Sequence, residues 1–176
     1  MIAAVVLAAG ASTRFGSPKQ RLLVPGIVER LRRAASIDEI VVVLGAHPVE
    51  TTARVVECPD WERGPGASLR RGLVALSHKV EAAVIVLGDG PAIDPRAVDR
   101  VVAAWRASGA ERVGATYRGV RLHPLLVARS AWGDVPDEGL RALPAELVPC
   151  DDLDPPGDVD FADDLDVGRW PSKPAE

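Results

Sequence analysis

Cysteine, histidine and aromatic residues are all scarce in this chain of 176 residues, and each scarcity removes a class of explanation. The two cysteines, Cys58 and Cys150, lie far apart with no CxxC spacing. That excludes a disulfide framework and a cysteine zinc site, and it fits a reducing compartment. Of the three histidines, His47 and His78 show no ligand spacing and His123 stands alone on an apolar stretch. Aromatics make up 4% of the chain, and Trp61, Trp105, Trp132 and Trp170 are too scattered for a base-stacking platform. Core or surface packing is the expected role of those rings. Positive charge is not in excess either: 21 Lys and Arg against 25 Asp and Glu leave a net charge of −4. Such a balance argues against a general nucleic-acid or membrane-surface partner. "MIAAVVLAAG" has no basic leader and only about eight apolar residues before its glycine, too few for a signal peptide or a membrane span. A cytoplasmic location is expected. No repeat and no interdomain linker interrupts the chain, so one domain over 1–170 with a frayed tail at 171–176 is the expected organisation.

What the chain does have is a recurring pattern. Ile2–Ala8, Glu39–Gly45 and Ala82–Gly88 are apolar, β-branched runs that end at or next to glycine. Runs of this kind suit strands buried on both faces of a parallel sheet. Between the first two lies "IVERLRRAAS", with Ile27, Val28 and Leu31 apolar on one side. Between the second and third, Leu69, Leu73 and Leu76 recur at helical spacing. After the third, Asp94 is an N-cap, Pro95 opens a helix and Gly109 stops it. The alternation predicts a mostly parallel α/β sheet with right-handed crossovers. Further on, "RVGATYRGVRLHPLLVA" predicts two strands around Arg118-Gly119, Pro136–Leu143 a short helix and "ELVPC" a short strand.

The chemistry concentrates in "LAAGASTRFGSPKQ", which follows the first strand directly. In open α/β sheets ligands bind beyond the carboxyl ends of strands. Glycines there can turn several N–H groups toward one anion. Ser12 and Thr13 add hydroxyls, Arg14 a planar fork for phosphate oxygens, and Lys19 a mobile point charge. The residues after Gly16 are Ser-Pro-Lys, which rules out a Walker A loop, and Gly10-Ala11-Ser12 breaks a dinucleotide fingerprint. Two readings remain for the loop alone: a polyphosphate cradle, or a plain strand-to-helix connection with solvated cations. In "VLGDGP", Asp89 follows a buried strand immediately, where a carboxylate can hold Mg²⁺ or simply stabilise a turn. Asp151–Asp166 holds eight aspartates, most of which must be solvated. Asp158 and Asp160 are two apart there, and if they lie on a strand only one can face the site, Asp160 being the favoured one.

Taken in order, "LAAGASTRFGSPKQ", "GDGP" and "DVDFADDL" resemble the MobA-like nucleotidyltransferase family, and the first motif is closest to its molybdenum cofactor cytidylyltransferase branch. "PDWERGPGASLRRGL" and "LHPLLV" resemble two further blocks, so the likeness covers about Ile2 to Leu165. The guanylyl branch tends to carry a second glycine where Ala9 stands. The resemblance implies a three-layer α/β/α Rossmann-like nucleotidyltransferase fold with a mostly parallel mixed sheet. It implies transfer of a nucleoside monophosphate from an NTP, CTP first, to a phosphorylated acceptor such as molybdopterin cofactor, with release of pyrophosphate. By position, Ala8, Ala9 and Gly10, with Ser12, would meet the nucleotide, while Arg14 and Lys19 bind triphosphate. Gly45 and Ser68 would lie near the base, and Asp89 with Asp160 would hold Mg²⁺. His123 either touches the acceptor or is a hydrogen-bonded structural residue; Arg70 either sits on a solvated face or reaches a phosphate. Expected partners are the two small substrates and an acceptor enzyme, with no nucleic acid or membrane, in a monomer or weak dimer.

The chain departs from the family in several places. "RLLVPGIVERLRRA" is about two turns short by comparison, Cys58 stands where asparagine is common, and Gly90 where Gln or Met is usual. Leu122 replaces the glycine before His123, "DVPDEGLRAL" matches the acidic-glycine block weakly, and "DFADDL" lacks the Thr-Pro. Two other readings therefore stand beside the leading one: a nucleotidyltransferase for another phosphorylated metabolite, and a trimmed, non-catalytic nucleotide-binding paralogue.

Overall fold

In the computed structural model, which describes residues 1–11 and 18–159, the three apolar runs form the middle of one sheet. Strands β1 (Ile2–Ala8), β2 (Glu39–Leu44) and β4 (Ala82–Leu87) are mutually parallel, with Ala4 of β1 paired to Ile40 on one side and Val84 on the other. Among the described residues the sheet has seven strands in the order β3-β2-β1-β4-β6-β5-β7. Here β3 is Arg54–Glu57, β5 Arg112–Tyr117, β6 Val120–Ala128 and β7 Glu146–Pro149. β6 runs antiparallel to both its neighbours. The Arg118-Gly119 pair turns β5 into β6 with both residues at positive φ, the geometry of a tight hairpin.

Because side chains alternate along a strand, β1 feeds two cores. Ile2, Ala4, Val6 and Ala8 pack with Val24, Ile27 and Leu31 of helix α1 (Gln20–Leu31) and Val98, Val101 and Val102 of helix α3 (Pro95–Ser108). Ala3 and Val5 pack on the other face with Leu69 and Leu73 of helix α2 (Pro65–Ala75) and Ala131 of the 3₁₀ segment Arg129–Asp134. The result is the three-layer mixed α/β/α arrangement.

Helix α1 begins seven residues ahead of the predicted segment and stops at Leu31, which leaves Arg32–Ser36 outside it. The reason is burial. Pro25 inside a helix costs about 3 kcal/mol. Five buried apolar side chains, Leu23, Val24, Ile27, Val28 and Leu31, outweigh that at about 2 kcal/mol each. Helix α3 follows its sequence signals: the Asp94 carboxylate accepts from Arg96 N–H, Pro95 opens the helix, and Gly109 closes it at φ 68°. Two elements depart from expectation. β3 was not anticipated, and Pro136–Leu143 forms turns rather than a helix. That segment makes only two turn hydrogen bonds of its own among those between described residues, Gly139 N–H to the Pro136 carbonyl and Leu143 N–H to the Leu140 carbonyl, and is held besides by α2 and β6, as described below. No helix among the described residues is long and apolar enough to cross a membrane.

Candidate functional site

Parallel strands present their carboxyl ends on one edge, so the loops after β1, β2 and β4 share a crevice by construction. The crossover pattern places β2 on one side of β1 and β4 on the other, with α1 and α2 on opposite faces. This is a switch point, and the chain loops away from β1 there. Gly88 N–H donates to the Leu7 carbonyl (2.8 Å) and Ala46 N–H to the Ala9 carbonyl (3.1 Å), which ties the three strand ends together.

The charged centre joins Lys19 and Asp89. Lys19 caps α1 and is buried, with its Nζ 3.4 Å from the Asp89 carboxylate. The same ammonium donates to the Val159 carbonyl, and Val159 N–H donates to the Asp89 carbonyl at 3.0 Å. The segment before Asp160 is thus fastened to the Asp89 turn, and Ala92 N–H donates to the Pro156 carbonyl (2.8 Å) beside it. Asp89 keeps a side-chain exposure of 32%, enough to meet a ligand. Gln20 supports the first loop from beneath, donating through Nε2 to the Gly10 carbonyl at 2.8 Å. His47 reaches the Ala11 carbonyl at 3.0 Å.

The opposite wall comes from Trp61–Ser68. A Cβ at Gly45 would lie 2.6 Å from both the Ala9 carbonyl oxygen and Trp61 Cγ, so glycine alone lets the indole press against the strand end. Ser68, in the first turns of α2, is buried near Cys58, which follows β3 and whose thiol donates to the Asp60 carboxylate at 3.4 Å. Burial raises the Cys58 thiol above its ordinary value, and the Ser68 contact works against that rise. A thiol held protonated there is a packing group rather than a nucleophile.

The predicted residues divide as follows. Ala8, Ala9, Gly10, Lys19, Gly45 and Asp89 come together at the strand ends, with Ser68 on the facing helix. Ser12, Arg14, Asp160 and the tail at 171–176 lie outside the described residues. His123 sits in an irregularity of β6: Gly114 pairs with Leu125 and Ala115 with Leu122, which leaves His123 and Pro124 without partners in the β5 ladder. The β4–β6 ladder ends at the Ile85–Leu125 pair, so His123 lies just beyond it on β6. Burial, with the Arg121 charge second, lowers its pKa to about 4, so the imidazole is neutral at pH 7. Arg70 is held by the loop after β6 rather than standing on a freely solvated face. It donates to the Val135 carbonyl (2.7 Å) and to the Asp137 carboxylate, which also takes Arg63 at 3.3 Å. Arg121 lies over Gly114 and donates to the carbonyls of Leu140, Arg141 and Leu143. Sequence reasoning missed Gln20, Trp61, Arg121 and Asp137. The first follows Lys19 directly, but the others act through long-range contacts that no local pattern announces.

A partly exposed carboxylate such as Asp89 suits a hard cation that draws most of its ligands from water and phosphate. No group of three or more His, Cys, Asp or Glu able to hold a metal occurs among the described residues, so they build no all-protein cage. Residues 4–147 match the family described as MobA-like NTP transferase domain. The chain is 31% identical over 147 residues to a probable molybdenum cofactor guanylyltransferase of Thermococcus gammatolerans, covering 78% of this chain and 74% of that one. Its structure is similar to a Mycobacterium sp. strain JC1 homologue of Mycobacterium tuberculosis Rv0371c, with TM-score 0.77 and 29% identity over 94% and 93% of the two chains. It is also similar to Rv0371c of Mycobacterium tuberculosis in complex with manganese, with TM-score 0.71 and 26% identity over 94% and 96% of the two chains.

Proposed function

This chain belongs to the MobA-like NTP transferase domain family and is a nucleotidyltransferase, and from that premise we propose that it moves a nucleoside monophosphate from an NTP onto a phosphorylated acceptor of the molybdopterin type, releasing pyrophosphate. The observation that carries this reading is the convergence of Lys19 and Asp89, 3.4 Å apart at the ends of adjacent elements. Acceptor phosphate and donor α-phosphate repel each other, so the site must screen charge before the oxygen can attack. Lys19 meets the triphosphate and stabilises charge on the departing pyrophosphate, with Arg14 as the second cation. Asp89 and Asp160 would hold Mg²⁺, which would supply charge screening at the reacting phosphates. The described residues fit that ion in one respect, a partly exposed Asp89 carboxylate at a strand end. The manganese complex of the mycobacterial relative supports the use of a divalent ion. No side-chain base is needed, because a phosphate oxygen is already ionised, and alignment by the Ala8–Gly10 backbone supplies much of the rate.

CTP is the proposed donor, on the ground that Ala9 stands where the guanylyl branch tends to carry a second glycine. GTP is the second reading, favoured by the guanylyltransferase names of the archaeal relatives. Pyrophosphate release measured with each NTP and with molybdopterin-type acceptors decides between them: the larger kcat/KM identifies the base. No turnover with any pair, alongside measurable NTP binding, overturns the catalytic reading in favour of a binding role. Asp89→Asn is expected to lower Mg²⁺-dependent turnover at least about a hundredfold while leaving the fold intact. Full activity in that variant refutes the metal assignment.

A further inference from the structure

The stretch from Trp61 to Ser68 is gripped from two sides. On one side Trp61 presses on Gly45, where a Cβ would lie 2.6 Å from the indole. On the other, Asp137 holds it through backbone and side chain together. The Asp137 carbonyl accepts from Gly66 N–H at 2.9 Å, in the first turn of α2. Its carboxylate pairs with Arg63 just before that turn and with Arg70 just after it. The fit is close. A Cβ on Gly64 would come within 2.6 Å of the Asp137 carbonyl oxygen, and one on Gly66 within 1.7 Å of the Pro136 carbonyl oxygen. The loop carrying Asp137 is itself anchored, by Arg70 on Val135 at one end and by Arg121 on Leu140, Arg141 and Leu143 at the other.

We propose that Asp137 is a positioning residue for the nucleotide: it clamps the Trp61–Ser68 stretch against Gly45 and thereby sets the width of the slot that receives the base. The inference rests on the nucleotidyltransferase reading of this site and adds a residue that acts without touching substrate. Gly66 is two residues from Ser68, so a shift of that turn moves Ser68 and Trp61 together. Misplacement by a fraction of an ångström is enough to weaken a contact that depends on shape.

The test uses the full chain with CTP and with GTP, each with Mg²⁺, in equilibrium titration, which needs no acceptor. Asp137→Asn keeps the backbone carbonyl and removes both ion pairs. It is expected to weaken the preferred NTP about tenfold and to narrow the ratio between the two NTPs. In turnover, KM for the NTP rises by the same factor while kcat at saturation stays within about twofold. Arg63→Gln, which leaves the Arg70 pair in place, is expected to give a smaller change in the same direction. Unchanged affinity and ratio in both variants, with only a lower Tm, overturn the proposal and make Asp137 a structural staple. Wild-type chain that binds neither NTP overturns the nucleotide reading of the site itself, and the clamp falls with it. The two failures are thus distinguishable.

Discussion

His123 illustrates how one residue can be read correctly in place and left open in role. Its neutral imidazole is half-buried in the β6 irregularity, and its pKa is lowered from 6.5 to about 4, by burial first and by Arg121 second. The unfolded chain therefore binds a proton that the folded chain refuses, and stability is lost as pH falls from about 6.5 toward 4. Between pH 7 and pH 5 the loss from this residue is about 2 kcal/mol. Urea unfolding at the two pH values should show that loss in the wild type and a markedly smaller one in His123→Gln. An identical loss in both would mean that the imidazole titrates normally. Arg70 and Arg121 carry the same lesson for cations. Each is committed to backbone carbonyls of the loop after β6, contacts that no local pattern announces.

At the level of elements, α3 is the most locally written and α1 the least. Asp94, Pro95 and Gly109 mark the ends of α3, and the Asp94 carboxylate does accept from Arg96 N–H at 2.8 Å. Pairing with Arg96 also lowers the Asp94 pKa, so the cap stays ionised across the working range. Asp94→Ala should lower stability by about 1 kcal/mol, read as a shift of the urea midpoint with an unchanged m-value. Asp94→Asn, which keeps an acceptor, should recover most of it; no recovery would assign the effect to the Arg96 ion pair. In α1, by contrast, Pro25 argues locally for a break, and the buried stripe from Leu23 to Leu31 overrides it. β3 escaped notice because it is a four-residue edge strand with one buried side chain, Val56, which gives no alternation to detect. The turns at Pro136–Leu143 escaped for the reason that Arg70 and Arg121 hold them from elsewhere.

For the whole molecule, the decisive contact joins the 61–68 stretch to the loop after β6, far apart in sequence. Gly66 is where they meet, and no side chain fits between its Cα and the Pro136 carbonyl. Gly66→Ala should cost about 2–3 kcal/mol and weaken NTP binding as well, since backbone cannot yield as a flexible side chain would. Normal stability with normal binding would show that the loop can retreat without consequence. The central strands, two of the crossover helices, the β5–β6 hairpin and the presence of Lys19 and Asp89 on one edge were all legible in the sequence. Burial on both faces demands continuous apolar runs, and parallel strands put their carboxyl ends together. The likeness to a nucleotidyltransferase family was legible for a related reason, because phosphate and metal chemistry needs particular groups at strand ends. Only the tertiary structure decided which distant side chains meet. It paired Lys19 with Asp89 and Val159, joined Arg70 to Asp137, and set Trp61 against Gly45. Those contacts depend on segments brought together by the sheet order, and local periodicity contains no information about which distant carbonyl an arginine will find.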